Sequence, residues 1–150
     1  MLPQAFPFFL FQILENEIFK FEEQICDFEE EDLSNIPDEE VKESILAAVG
    51  KAKLLMSQKL TQFRGLCDKN IVSAFLDLPI SSGYLMMFLF FKNSNPQEDP
   101  YVPTSEDLAG FWDMVYIQVE HIHTLFAELS TIRQNGWRRP QQQVLKISLT

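Results

Sequence analysis

Residues 103–137 read PTSEDLAGFWDMVYIQVEHIHTLFAELSTIRQNGW, and this stretch decides the fold. Thr104 is suited to cap a helix, and Asp107 three residues later supplies the acidic half of a capping box. The apolar residues that follow recur every three or four positions, which is typical of one buried helix face. They are Leu108, Phe111, Trp112, Val115, Val119, Ile122, Leu125, Phe126, Leu129 and Ile132.

The end of this stretch carries a stop signal of its own. Gly136 can adopt the left-handed conformation that closes many helices, and Trp137 can then fold back onto Ile132, as in a Schellman motif. Together the start signal, the apolar spacing and the stop signal predict a helix near 104–135.

Two further apolar stripes precede this helix. One predicts a helix near 13–32, and it consists of Leu14, Ile18, Phe21, Ile25 and Phe28. Pro37 then fits the first turn of a helix near 37–70, where its missing N–H costs nothing. The stripe of that helix consists of Val41, Ile45, Ala48, Val49, Ala52, Leu55, Met56, Leu60, Phe63, Leu66 and Cys67. Gly50 costs about 1 kcal/mol relative to Ala within a helix, so we expect a neighbouring helix to approach it closely.

The three narrow stripes predict an all-α fold. Two of the predicted helices exceed 30 residues, which favours an elongated antiparallel three-helix bundle. The domain then spans 13–137 and contains an irregular link at 71–103. We expect the ends, 1–12 and 138–150, to be irregular.

The charge of the chain disfavours two classes of partner. The formal net charge is −10, and residues 1–50 contribute −11 of it, with 13 acidic and 2 basic residues. Such acidity disfavours nucleic acid and anionic lipid, and solvated helix faces explain it more simply than a docking site for a basic partner. The longest apolar run, Tyr84–Phe91, is much too short to be a transmembrane segment.

No arrangement of residues predicts catalysis, a cofactor or a metal. His121 and His123 lie about 200° apart around a helix axis and cannot share a metal ion, so we expect one beside the core and one in water. Cys26 and Cys67 are too few for a disulfide framework or a zinc module and indicate half-buried thiols in a reducing, cytoplasmic compartment. Cys67 with a distant histidine leaves a small cysteine hydrolase as a remote alternative.

A candidate protein-binding site lies on one flank of the third predicted helix. Tyr116 follows Trp112 by one turn, and His123 lies two turns further along the same flank. These three residues are either the edge of a partner-binding groove or an ordinary margin of the core.

Two segments carry a resemblance to a known family. Residues 48–70, AVGKAKLLMSQKLTQFRGLCDKN, and residues 103–137 resemble the C-terminal homology domain of the discs-large-associated proteins. That family is also called the guanylate-kinase-associated or SAPAP family. The most specific match is the run DLAGFWDM, residues 107–114, directly after the capped PTS start.

The resemblance implies a non-enzymatic scaffold or adaptor domain of a cytoplasmic protein at the postsynaptic density. In the family, upstream repeats bind membrane-associated guanylate kinase scaffolds, and a C-terminal peptide binds Shank-type PDZ domains. On this resemblance we expect neither partner site within residues 1–150, since no such repeats precede the helices and the final LKISLT lacks the apolar terminal side chain that a PDZ pocket binds. A spindle-associated, mitotic member of the same family is the alternative.

The residues between the second and third predicted helices depart from the family pattern. Members have a short polar link there, which Asn93–Val102 resembles, whereas 72–92 includes the apolar run GYLMMFLFFK. Our hypothesis is that 72–92 is a translated intron, since Val72 and Ser73 can be encoded by a splice donor. Pyrimidine tracts with splice acceptors can likewise encode 88–92 and 6–12. A hydrophobic loop that docks on a partner or a membrane surface is the open alternative.

Overall fold

The computed structural model describes residues 6–76 and 101–139, and every regular element within them is helical. No strand occurs in these two ranges, so the predicted all-α class is confirmed. The elements are α1 (Phe6–Glu29), a short 3₁₀ helix (Leu33–Asn35), α2 (Glu39–Leu55), a π-helix (Met56–Leu60), α3 (Thr61–Leu76) and α4 (Ser105–Gln134). The π-helix joins α2 to α3 without a break, and we call the whole of Glu39–Leu76 the long helix.

Helix α1 begins a full turn and more before the predicted residue 13. The expectation of an irregular 1–12 is therefore wrong for residues 6–12, whereas residues 1–5 lie outside the described part of the chain. Leu10 and Leu14 are 3% and 0% exposed, so the buried stripe extends towards the N-terminus. Pro7 lies in the first turn, where a helix tolerates proline.

The long helix is displaced towards the C-terminus relative to the prediction of 37–70. Asp38 is the N-cap and accepts a hydrogen bond from the Glu40 N–H at 3.0 Å, so Pro37 precedes the cap and does not occupy the first turn. The helix continues to Leu76, which corrects the irregular link predicted for 71–103. Residues 72–76 contain no glycine or proline to stop it. Most of the remaining link lies outside the described residues.

The π-helix explains how Leu55 and Leu60 can both be buried. Leu55 and Leu60 are 5% and 0% exposed, although residues five apart lie about 140° apart around a regular α-helix. The wider π turn adds a residue and returns Leu60 to the buried side. The Thr61 hydroxyl donates to the Met56 carbonyl at 2.8 Å, which satisfies one carbonyl in this turn.

Helix α4 agrees with its predicted bounds to within one residue at each end. The Asp107 N–H donates to the Thr104 hydroxyl at 3.1 Å, and the Thr104 N–H donates to the Asp107 carboxylate at 3.0 Å, which completes the capping box. At the other end the Trp137 N–H donates to the Ile132 carbonyl at 2.9 Å, and Gly136 has a φ of +66°. The predicted Schellman ending is therefore confirmed.

One buried apolar cluster draws on α1, the long helix and α4. Its largest fully buried side chains include Phe21, Phe63 and Phe126. Contacts between the helices follow a consistent order along the chain. They join Glu15 to Arg64 and Glu29 to Lys53 (α1 with the long helix), Phe21 to His123 and Phe28 to Phe126 (α1 with α4), and Phe63 to Trp112 and Asn70 to Pro103 (the long helix with α4).

Two smaller expectations are corrected. Cys26 is exposed and Cys67 is fully buried, so neither thiol is half-buried as predicted; Cys67 lies one turn after buried Phe63, whereas Cys26 lies beside the α1 stripe. A Cβ atom at Gly50 would meet nothing within 4 Å. Gly50 is exposed and none of the described helices approaches it, so packing among these helices does not explain the glycine.

Candidate functional site

The aromatic residues predicted as a protein-binding site divide between the core and the surface. The Trp112 ring lies 5.3 Å from the Phe63 ring and 5.8 Å from the Tyr116 ring, measured between centroids. Trp112 is only 8% exposed, whereas Tyr116 is 38% exposed. Trp112 therefore belongs to the core, and Tyr116 extends the same aromatic group to the surface.

His123 packs against α1 two turns further along α4. Its ring stacks on Phe21 with centroids 4.5 Å apart. Its Nδ1 lies 3.1 Å from the Gln24 side-chain oxygen, and its Nε2 lies 2.6 Å from a carboxylate oxygen of Glu17. His121 is exposed, so the expectation of one histidine beside the core and one in water is confirmed.

Glu17 is the buried charged residue of this seam between α1 and α4, and the sequence analysis did not single it out. Its carboxylate also accepts a hydrogen bond from Lys20 Nζ at 2.7 Å. Burial alone would raise the pKa of Glu17, but the hydrogen bonds from Lys20 and His123 outweigh it and hold the pKa below its ordinary value. Glu17 lies three residues after Leu14 and four before Phe21, so its place on the apolar stripe was the available signal.

The structure thus brings Trp112 and Tyr116 into contact and gives His123 a separate set of partners on α1. The spacing predicted one shared flank of α4; on it His123 contacts α1, whereas Trp112 contacts Phe63 of the long helix. Whether this seam contacts another protein stays a prediction.

A second feature lies on the opposite flank of α4, between α4 and the long helix. Two adjoining cavities of about 210 and 460 Å³ share Lys59 and Gln118 in their linings, so they form one groove. We call it the lysine groove and define it by Lys51, Leu54, Lys59, Leu66, Phe111 and Met114. Sequence reasoning missed it, because it depends on which helices meet.

The lysine groove combines apolar walls with positive charge. Leu54 and Met114 at its rim are 56% and 60% exposed. No aspartate or glutamate occurs among its described lining residues, although the chain as a whole has 22 acidic residues.

The described residues offer little for catalysis or metal binding. Within 6–76 and 101–139, no group of three His, Cys, Asp or Glu side chains could hold a metal ion. Burial, followed by the nearby Asp68, raises the pKa of the Cys67 thiol to about 12, so Cys67 is protonated at neutral pH. None of the described helices is both long and apolar enough to span a bilayer.

Comparison with known proteins identifies relatives of this chain. A family model described as guanylate-kinase-associated protein (GKAP) matches residues 7–147. Disks large-associated protein 4 of Mus musculus is 35% identical over 131 residues, which are 87% of this chain and 11% of that relative. Disks large-associated protein 1 of Homo sapiens is 38% identical over 110 residues, which are 73% of this chain and 9% of that relative.

A third relative extends the agreement. Disks large-associated protein 2 of Rattus norvegicus is 35% identical over 127 residues, which are 85% of this chain and 10% of that relative. The chain spans about a tenth of the length of the curated relatives it matches. Because the family model covers most of the chain, the chain belongs to the guanylate-kinase-associated protein family, which is the family that the sequence resemblance indicated.

Proposed function

We propose that this chain is a non-enzymatic adaptor domain that acts through protein contacts in scaffold assembly. One observation carries the proposal: among the described residues, Glu17, His123 and Cys67 are buried or partly buried side chains that could act as acid, base or nucleophile, and they lie in contacts between helices or in the core. Glu17 and His123 join α1 to α4, and Cys67 is enclosed in the core. Exposed apolar side chains remain on the helix surfaces, as is common at protein-binding sites. A cysteine hydrolase is disfavoured because the Cys67 thiol is buried and protonated.

The described helices are proposed to form an elongated antiparallel three-helix bundle. In the pairs that join α1 to the long helix, and the long helix to α4, one residue number rises as the other falls. In the pairs that join α1 to α4, both numbers rise together. This order fits an up-down-up path of the chain.

The family name supports association with guanylate kinase scaffolds, and the proposed setting is the postsynaptic density. Family resemblance assigns the contacts with membrane-associated guanylate kinases to upstream repeats and the contacts with Shank-type PDZ proteins to a C-terminal peptide. The helices are therefore proposed to bind a further protein component of the same assembly. The spindle-associated branch of the family is the alternative.

The seam between α1 and α4 is the first proposed contact surface of this domain. Tyr116 is 38% exposed above buried Trp112, and the His123 side chain is 27% exposed above Phe21. Aromatic side chains held in place by a core lose little conformational freedom on binding, and for that reason they are frequent at interfaces.

Localisation of the fluorescently tagged full chain in neurons and in dividing cells tests the function. We expect wild-type protein at postsynaptic sites and reduced recruitment of Tyr116→Ala. Ile117→Ala is the matched control, because Ile117 is 69% exposed and lies on another side of α4. Diffuse wild-type signal would contradict the adaptor role, and signal on the mitotic spindle would establish the alternative branch.

A further inference from the structure

The lysine groove is an open apolar surface that the family assignment does not explain. Leu54 on the long helix and Met114 on α4 each have more than half of their surface exposed, and Leu66 and Phe111, which line the same cavity as Met114, are partly buried. Apolar side chains brought together on one face in this way favour a protein contact over solvent.

The lysines of this groove differ from most other cations of the protein. In the described part of the chain, basic side chains that form ion pairs with carboxylates include Lys20, Lys42, Lys53, Arg64, Arg133 and Arg139. Within the described ranges, by contrast, neither Lys51 nor Lys59 has an ion-pair partner, and no acidic side chain lines the groove. In a chain with a net charge of −10, this leaves a locally positive apolar groove.

The length of the groove fits a helical occupant. Lys51 and Leu66 are fifteen residues apart on the long helix, which corresponds to roughly 22 Å. A peptide helix of about four turns has that length. The π-helix carries Lys59 at the middle of this span, and such turns are frequent at functional sites.

We propose that the lysine groove binds one amphipathic helix of another protein, whose apolar face enters the groove and whose acidic flank meets Lys51 and Lys59. Helix-in-groove recognition of this kind uses apolar anchors for affinity and flanking charges for selection. The proposal rests on the adaptor function and assigns that function a partner class and a second surface, distinct from the seam between α1 and α4.

Two synthetic helical peptides of about four turns test the partner class. They share one apolar stripe of leucines, but the flanks of one carry glutamates and those of the other carry lysines. Fluorescence anisotropy with the full chain should show that the glutamate peptide binds about tenfold more tightly. This preference should shrink as salt is raised, because salt screens exposed charges.

Charge reversal in the chain provides the matched test. Lys51→Glu combined with Lys59→Glu should abolish or invert the preference for the glutamate peptide. Arg138→Glu makes the same type of charge change at an exposed residue outside the groove and should leave the preference unchanged. Leu54→Ser and Met114→Ser should weaken both peptides, while circular dichroism and urea midpoints stay unchanged because both side chains are exposed.

Four outcomes would overturn the proposal. The first two are equal binding of the two peptides and no binding of either peptide. The third is self-association of the chain that Lys59→Glu abolishes, and the fourth is peptide binding that appears only after residues 72–92 are deleted. The third would make the occupant a second copy, and the fourth would make it a segment of this chain. If any of these occurs while Tyr116→Ala still reduces recruitment, the adaptor function stands and only the groove assignment fails.

Discussion

Helix α4 presents two flanks of opposite character. The flank that faces α1 is filled by polar and aromatic contacts: Arg133 bonds to Asp27 and Glu31 at 2.6 and 2.8 Å, and its guanidinium lies 4.6 Å from the centre of the Phe28 ring. The stacked pair of Phe21 and His123 continues this packing further along α4. On the other flank, the lysine groove leaves Leu54 and Met114 more than half exposed, and within the described residues Lys51 and Lys59 have no ion-pair partner.

This difference means that buried and exposed residues of one helix should respond differently to substitution. A buried carboxylate such as Glu17 is costly to leave unpaired, so its contacts with Lys20 and His123 favour one alignment of α1 on α4. Leu54 and Met114 are exposed, so substitution of either residue leaves no buried group unpaired and should preserve the fold. Substitutions of buried residues on the filled flank, such as Glu17 and Trp112, should therefore lower the free energy of unfolding, whereas substitutions of exposed residues on either flank should change it little.

The largest effect is expected at Trp112, which lies at the margin of the filled flank. Trp112→Ala removes a ring that packs on Phe63 and should lower the free energy of unfolding by about 3–5 kcal/mol. Typical domains have a total stability of about 5–15 kcal/mol, so urea denaturation should show a large fall in midpoint. Met114→Ala, on the exposed rim of the groove, is the control and should change stability by at most about 0.5 kcal/mol. Equal effects of the two substitutions would remove the distinction between the flanks.

The second effect concerns the charge buried in the filled flank. Glu17→Gln removes the negative charge of the group that bonds to Lys20 and His123 and should cost about 1.5–3 kcal/mol at neutral pH. Because the pKa of Glu17 is lowered in the folded protein, its stabilising effect is present above the ordinary carboxyl range and is lost as pH falls through the folded pKa.

Urea titrations of both proteins between about pH 7 and 3 check the sign of this effect. The difference in stability between wild type and Glu17→Gln should be largest at neutral pH and should shrink below about pH 4.3. Glu23→Gln is the matched control, since Glu23 is exposed on the same helix. A difference that is constant over the whole range would show that packing, and not the carboxylate charge, stabilises this site.

Features with local signals were predictable from the sequence. The capping box of Thr104 and Asp107 and the Schellman ending at Gly136 use residues within five positions of each other, and both form as predicted. Helical spacing likewise grouped Trp112, Tyr116 and His123 on one flank, and their role in protein binding stays a prediction. Local hydrogen bonds and helical periodicity determine these features, so no knowledge of the neighbouring helices was needed.

Features that depend on contacts between helices were missed. Helix α1 starts early because Leu10 finds a buried position, and a single stripe does not reveal how far its partner helices extend. The π-helix follows from the need to bury both Leu55 and Leu60. The lysine groove requires side chains from residues more than 50 positions apart in the chain, Lys59 and Met114 among them.

The third effect is expected at Gly50, an exposed position of the long helix that lies on neither flank of α4. Gly50 is exposed and a Cβ there would meet nothing, so Gly50→Ala should stabilise the long helix by about 1 kcal/mol through helix propensity. Gly136→Ala is the opposite control: it is equally free of neighbours but has a φ of +66°, so it should destabilise the protein. Thermal or urea unfolding of the two variants would contradict this account if both changed stability in the same direction.

The smallest effect is expected from deletion of residues 72–92, and it tests whether the open flank is empty in the whole chain. The Asn70 side chain donates to the Pro103 carbonyl at 2.7 Å, so the helices meet at this end and the ten residues of Asn93–Val102 can join them. A shorter link gains roughly 0.8 kcal/mol in loop closure. Loss of Val72–Leu76 from α3 offsets part of this gain, so the urea midpoint should hardly move.

Solubility should rise more clearly on this deletion, because the apolar run Tyr84–Phe91, which lies outside the described residues, is removed. A loss of several kcal/mol would instead mean that the segment packs on the helices. Transcripts that join the Ile71 and Asn93 codons directly would support the intron hypothesis, and transcripts that always retain 72–92 would reject it.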